Sequence, residues 1–234
     1  MLPVSCIVPA RMGSSRFPGK PLFKLCGKEM IVRTLERARL AGCFERIVCA
    51  TDSEQIAEVV SKAEFEYVMT GACATGSDRV AEAARVLGLD LVVNLQGDEP
   101  LVEPSVLCDV ARELAAHPES WVTVACPLNP AEAQLKTVVK VKVHDGLAVD
   151  FTREVPPEEA SLWYQHQGIY AYSRAARDEF SSLPQSPVEL ERSLEQMRIL
   201  GLRPICIVQS PYPSVSVDVP SDVESVDALL HQRQ

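Results

Sequence analysis

In the first hundred residues of this 234-residue chain, short apolar runs alternate with segments of helical period. Val4–Val8, Arg46–Ala50, Glu66–Met69 and Leu91–Leu95 read as strands, the last of a buried type. Met30–Leu40 places Ile31, Leu35 and Ala38 on one face and charges on the other, which predicts a helix. Ser77–Leu87 reads as another, ended by Gly88. Between them Asp52 is expected to cap a helix, with Gln55 as its capping-box partner. Strands separated by crossover helices must run parallel, and a parallel sheet must be covered on both faces. The expected fold class is therefore α/β: a mixed, mainly parallel sheet flanked by helices.

The second half changes character. Val122–Cys126, Val138–Val143 and Gly168–Tyr172 read as strands with fewer helices between them. Pro156–Leu162 reads as a loop. Ser186-Pro187-Val188-Glu189 is a capping box with proline at the first helical position, predicting a helix through Leu200. Ser221-Asp222-Val223-Glu224 opens a terminal helix in the same way. There is no internal repeat and no linker, so residues 1–234 read as a single domain. Trp121 and Trp163 read as packing residues.

The formal net charge is -9, which argues against a nucleic-acid partner, since that needs a basic face. No apolar run approaches the length of a membrane span. The apolar stretch Val4–Val8 is too short for an export signal and is closed by Pro9 and Arg11, and the eight cysteines have no CxxC pair, so they are expected to be reduced thiols in a cytoplasm. The charge is unevenly spread. No Asp or Glu precedes Glu29, yet Arg11, Arg16, Lys20, Lys24 and Lys28 all do. A purely basic first segment in an acidic protein points to a local anion site.

That segment contains VPARMGSSRFPGKPL at residues 8–22. It is not a Walker A loop: five residues separate Gly13 from Gly19 where the motif has four, and Pro21 stands where Ser or Thr would hold magnesium. It nevertheless leaves the first strand at its carboxyl end, where open α/β sheets place ligands. Pro18 and Pro21 stiffen it, glycines let backbone N–H groups approach an anion, and Arg11, Arg16 and Lys20 supply charge. A second cluster, Asn94-Leu95-Gln96-Gly97-Asp98-Glu99-Pro100, ends the Leu91–Leu95 strand at the same sheet edge. An acid beside a polyphosphate needs a bridging cation, and Mg²⁺ is the default. The alternative use of Asp98 is to satisfy turn backbone.

Together, PARxxSxRxPGKPL and NxQGDEP resemble the 3-deoxy-D-manno-octulosonate (Kdo) cytidylyltransferases. Further matches keep the family's order: Thr75-Gly76-Ser77-Asp78-Arg79, Val138–Lys142, Phe151-Thr152-Arg153, His166-Gln167-Gly168-Ile169-Tyr170, Leu194-Glu195-Gln196-Met197-Arg198 and Val217-Asp218-Val219-Pro220. Two segments depart from the family pattern. Gly71–Thr75 is short, with Cys73 in place of the usual His, and the stretch from Arg153 to Tyr164 is short as well.

The resemblance implies a nucleotide-diphospho-sugar transferase-like, Rossmann-like fold with a nucleotide-binding half (1–120) and a sugar-binding and dimerisation half (121–234). It implies a cytoplasmic, Mg²⁺-dependent homodimer that makes CMP-Kdo and diphosphate from CTP and Kdo for lipopolysaccharide synthesis. Arg11, Arg16 and Lys20 would hold the triphosphate, with Ser14 bonding a phosphate oxygen and the Pro9-Ala10-Arg11 turn offering backbone groups to the base. Asp98 and Asp218 would be the metal ligands and, with Arg11 and Lys20, the catalytic residues. Arg79 would face cytosine, Ser77 would bind substrate, and Gln96 the nucleotide or the sugar. Arg153 would meet the sugar carboxylate, and His166, Tyr170, Glu195 and Gln196 its hydroxyls. Two other readings stay open: a cytidylyltransferase for another acidic sugar (8-amino-Kdo or sialic acid), and a nucleotide-binding regulator without catalysis.

Overall fold

A computed structural model of the chain describes residues 3–14, 16–213 and 215–232. The strands are β1 (Val4–Ala10), β2 (Lys24–Leu25), β3 (Lys28–Glu29), β4 (Ile47–Thr51), β5 (Glu66–Met69), β6 (Leu91–Leu95), β7 (Trp121–Pro127), β8 (Lys140–His144), β9 (Leu147–Thr152), β10 (Tyr164–Ser173) and β11 (Ile205–Gln209). The helices are α1 (Met30–Ala41), α2 (Glu54–Lys62), α3 (Gly76–Val86), α4 (Pro104–Ala116), α5 (Arg174–Ser182), α6 (Pro187–Arg192) and α7 (Asp222–Gln232). β2 and β3 form a small hairpin. The other nine strands form one sheet in the order β5-β4-β1-β6-β10-β7-β11-β9-β8.

The sheet is mixed, as expected. β5, β4, β1 and β6 are mutually parallel. β10 enters antiparallel between β6 and β7, and β9 is antiparallel to β11 and β8. Following these pairings, seven of the nine strands share one direction, and only β10 and β9 oppose it. The alternation of strand side chains divides the core. Cys6, Val8, Val93 and Leu95 pack under Ile31, Leu35, Leu107 and Val110 of α1 and α4. Ile7 and Val92 face the other way, toward Val80 and Ala84 of α3 and Phe180 of α5. Trp121 is buried there against Tyr172 and Phe180, so it is a packing residue. A third cluster seats Val226 and Leu230 of α7 on Phe17, Leu25 and Met30.

Three local expectations are corrected. The cap of α2 is Ser53, whose hydroxyl accepts from Ile56 N, while the Asp52 carboxylate turns away to pair with Arg79. The capping box at Ser186 and Glu189 is present, but α6 stops at Arg192. Ser193 adopts φ 53°, and the chain continues as a short 3₁₀ turn at Glu195–Arg198. The Arg153 guanidinium explains the break, because it takes the carbonyls of Arg192 and Ser193 that a continuing helix would have used. Pro157–Leu162, expected as a loop, is a 3₁₀ turn.

Candidate active site

The basic loop leaves β1 at its carboxyl end and folds back on itself. Gly19 N donates to Met12 O, and Gly19 takes φ 74°, a left-handed conformation that favours glycine. The following 3₁₀ turn, Lys20–Leu22, points Lys20 inward. β6 ends beside it. Gly97 is required here, since a Cβ would meet Pro9 O at 2.8 Å. With no side chain in the way, the β1 and β6 termini close up, and Asp98 stands next to the basic loop.

Lys20 Nζ donates to Asp98 Oδ2 at 2.6 Å and to Val217 O at 2.9 Å. Val217 N in turn donates to Asp98 O at 3.0 Å. These bonds bring the distant segment 217–219 to the sheet edge. Asp218 pairs with Arg16 at 3.2 Å. It is not a helix cap: Asp222, at the start of α7, accepts from the backbone N–H groups of Asp218 and Val219. Burial pushes the Asp218 carboxyl above the usual range and the charge of Asp98 adds to it, opposed by Arg16 and Lys20. Two carboxylates therefore converge, each tied to a cation.

A cavity of about 240 Å³ lies on one side of this pair, lined by Ala10, Arg11, Ser14, Lys20, Gly76 and Arg79 among others. A cavity of about 450 Å³ lies on the other, lined by Arg153, His166, Tyr170, Glu195 and Gln196 among others. Arg16, Gln96, Asp98 and Asp218 line both. The two cavities meet at the acids.

The larger cavity has charged residues on its wall, among them Arg153, Glu132 and Glu195, and neutral hydrogen-bonding groups between them. Thr123 Oγ1 gives its proton to Ile169 O at 2.7 Å, so it must accept from His166 Nε2 at 2.8 Å, and Nδ1 is left as the acceptor of the ring. Burial pushes the His166 imidazole down to about 3, so the ring is uncharged. Tyr170 Oη donates to Gln196 Oε1, and burial holds its phenol protonated. Gln196 Nε2 is buried without a partner among the described residues. Glu195 accepts from the Ser77 hydroxyl at 2.8 Å, and burial raises its carboxyl while Ser77 and Thr75 lower it. Ser77 also accepts from Asn94 Nδ2, whose Oδ1 accepts from Gln96 Nε2. A continuous chain of hydrogen bonds thus runs from Gln96, between the cavities, to Glu195.

Residues 5–202 match the family described as Cytidylyltransferase. A 3-deoxy-manno-octulosonate cytidylyltransferase of Anaeromyxobacter sp. (strain Fw109-5) is 41% identical over 97% of this chain and 96% of its own. One from Anaeromyxobacter dehalogenans (strain 2CP-1 / ATCC BAA-258) is also 41% identical, over 97% of both chains. Among solved structures, CMP:2-keto-3-deoxy-manno-octonic acid synthetase complexed with CTP superposes with a TM-score of 0.91 at 32% identity, covering 99% of this chain and 100% of that one. This chain belongs to the 3-deoxy-manno-octulosonate cytidylyltransferase family. A glucose-1-phosphate thymidylyltransferase of Bacillus anthracis shares the fold at 16% identity and a TM-score of 0.70.

Within this cytidylyltransferase the residues singled out by sequence gather at one cleft, except Ser77, which is buried behind Glu195 and lines neither cavity. Arg79 lines it, but its guanidinium is held from behind by Asp52 and Thr70. The short Gly71–Thr75 segment is tied down by Glu82, which accepts from Gly71 N at 2.8 Å and from the Cys73 thiol at 3.3 Å. Arg153 Nε, Nη1 and Nη2 donate to the carbonyls of Arg192, Lys136 and Ser193. Sequence reasoning missed Asn94 and Thr123. Both sit inside buried strands, and a lone amide among the apolar residues of Leu91–Leu95 was the available signal. Among the described residues no helix is long and apolar enough to cross a membrane.

Proposed function

We propose that the chain transfers CMP from CTP to the anomeric hydroxyl of 3-deoxy-D-manno-octulosonate, giving CMP-Kdo and diphosphate for lipopolysaccharide synthesis. The observation that carries this reading is the meeting of a basic cavity and a hydroxyl-binding cavity at Arg16, Gln96, Asp98 and Asp218. Nucleotidyl transfer needs a triphosphate and an acceptor hydroxyl aligned across one phosphorus, and its catalysis is mostly positioning and charge neutralisation. Arg11, Arg16 and Lys20 take the triphosphate, with Ser14 as a further donor. The Pro9-Ala10-Arg11 backbone and Arg79 face the base. Arg153 offers the N–H groups left over from its three carbonyl bonds to the sugar carboxylate. His166 Nδ1, Gln196 Nε2 and Glu195 receive the sugar hydroxyls.

The donor set suits Mg²⁺. Two carboxylate oxygens lie where phosphate must sit, and burial of Asp218 beside Asp98 makes a cation there favourable. A hard ion that keeps water and phosphate oxygens among its ligands needs no more than two acids. Bound by Asp98 and Asp218, it would neutralise phosphate charge and lower the pKa of the attacking hydroxyl. CTP is a cytoplasmic metabolite, and the reaction is assigned to that compartment. A homodimer is part of the same reading: exposed Val149, Leu162 and Leu190 of the second half are apolar side chains suited to a second copy.

The test is diphosphate release from CTP with Mg²⁺, with and without Kdo, repeated with UTP and ATP and with 8-amino-Kdo and sialic acid. Release that requires both CTP and Kdo supports the reading. Equal rates with the other nucleotides or sugars contradict it.

A further inference from the structure

Lys140 opens β8 and is wholly buried, paired in register with Thr152 of β9 and Gln165 of β10. Its ammonium makes three bonds, all to main-chain carbonyls: Leu135 O at 2.7 Å, Val138 O at 2.8 Å and Arg153 O at 2.7 Å. Each N–H has one acceptor. The carboxylates of Glu132 and Glu154 act on it only through space. Withdrawing an ammonium from water is costly, and at a buried position an apolar side chain of similar length avoids that cost. A charge at this position calls for a reason in what it holds.

What it holds is the wall of the larger cavity. Leu135, Val138 and Val139 line that cavity together with Arg153 and His166. The carbonyls of the wall are taken up one by one. Leu135 O and Val138 O bind Lys140, Lys136 O binds Arg153 Nη1, and Val139 O accepts from His166 N. Lys140 also grips Arg153 by its backbone while that residue's guanidinium is fixed by the carbonyls of Lys136, Arg192 and Ser193. The backbone origin and the tip of Arg153 are thereby both determined. Lowering of the Lys140 pKa to about 8 by burial is consistent with an ammonium in a polar but dry cage of carbonyl dipoles.

We propose that Lys140 is a positioning residue for the acidic sugar: its three carbonyl bonds set the loop 135–139 and Arg153 in the geometry that receives the carboxylate. The proposal rests on the assignment of the larger cavity to the sugar. It acts through Arg153, and Lys140 itself touches no substrate.

The test uses the full chain with saturating CTP and varied Kdo. Turnover by the unsubstituted protein first settles the assignment of the reaction, independently of Lys140. Lys140→Met and Lys140→Gln are then compared with it; the second keeps a neutral donor if the first does not fold. The expected result for either folded variant is a KM for Kdo raised about tenfold or more, with the KM for CTP within about twofold, as loss of sugar binding alone requires. In an Arg153→Ala background, Lys140→Met or Lys140→Gln should add less than about twofold, because residues that act through one another are non-additive. A fully active set of kinetic constants with a lowered melting temperature would make Lys140 merely structural and overturn the proposal. Equal losses toward CTP and Kdo, or effects that multiply with Arg153→Ala, would overturn it too.

Discussion

Lys20 and Asp98, 78 residues apart in sequence, are joined by a 2.6 Å ion pair at the mouth of the cleft. The same ammonium bonds the carbonyl before Asp218, so one lysine locates both acids. Under the proposed function, phosphate entering the smaller cavity would compete with Asp98 for that ammonium, and the freed carboxylate would become available to a cation.

Lys20→Ala should therefore damage turnover more than folding. Loss of a charged hydrogen bond typically costs about 1.5–3 kcal/mol, or roughly tenfold to a hundredfold in kcat/KM. The stability loss should be smaller, about 1 kcal/mol. Thermal melting and CTP turnover measured on the same preparation check this, and normal turnover would remove Lys20 from the phosphate site.

Arg153→Lys should raise the KM for Kdo while leaving CTP binding nearly unchanged. The guanidinium already gives three N–H groups to main-chain carbonyls and keeps others for a ligand. An ammonium has three donors in all and cannot serve both. The expected rise is about tenfold, the equivalent of one charged hydrogen bond. An unchanged KM would confine Arg153 to holding the loop at Arg192 and Ser193.

Gly97→Ala should weaken both the fold and the site. Its Cβ would lie 2.8 Å from Pro9 O, so the β1 and β6 termini would have to part. Overpacking of this kind costs about 1–3 kcal/mol. Denaturant unfolding checks the stability and steady-state assays the activity. A fully active, equally stable variant would show that the two termini need not be in contact.

Much of this geometry was legible in the sequence, for identifiable reasons. Strands and helices of the first half follow from local periodicity and glycine stops, because each buries its apolar face against its neighbour in sequence. The acids were visible because Asp98 follows a buried strand and Asp218 sits in a run resembling a known motif. What escaped was decided by distant partners. Asp52 looks like a cap until Arg79 claims it, and α6 reads as continuing to Leu200 until Arg153 takes the carbonyls at its end. The Asn94–Ser77–Glu195 chain and the Lys140 cage join residues from separate elements, and no spacing rule announces them.

The His166 imidazole makes a pH prediction. Its value of about 3 in the folded chain lies below the ordinary 6.5, so the unfolded chain takes up the proton first as pH falls. Its contribution to stability is complete above about 6.5 and is lost as pH falls toward 3. Between pH 6.5 and 5 this one group should cost about 2 kcal/mol, and His166→Asn should flatten that slope. Urea unfolding at pH 7.5, 6 and 5 checks it. Equal slopes for the two proteins would mean that the ring titrates normally.

The most direct test of the account is a rate cycle on Asp98→Asn, Asp218→Asn and the double variant, measured as CMP-sugar formed from CTP and Kdo with Mg²⁺. If both carboxylates serve one cation at the junction of the cavities, either single change should remove most of the activity, by about a hundredfold or more. The double variant should then be scarcely slower than the singles, since residues acting as a unit are non-additive. Strictly multiplicative losses, or an active Asp218→Asn protein, would contradict the joint site.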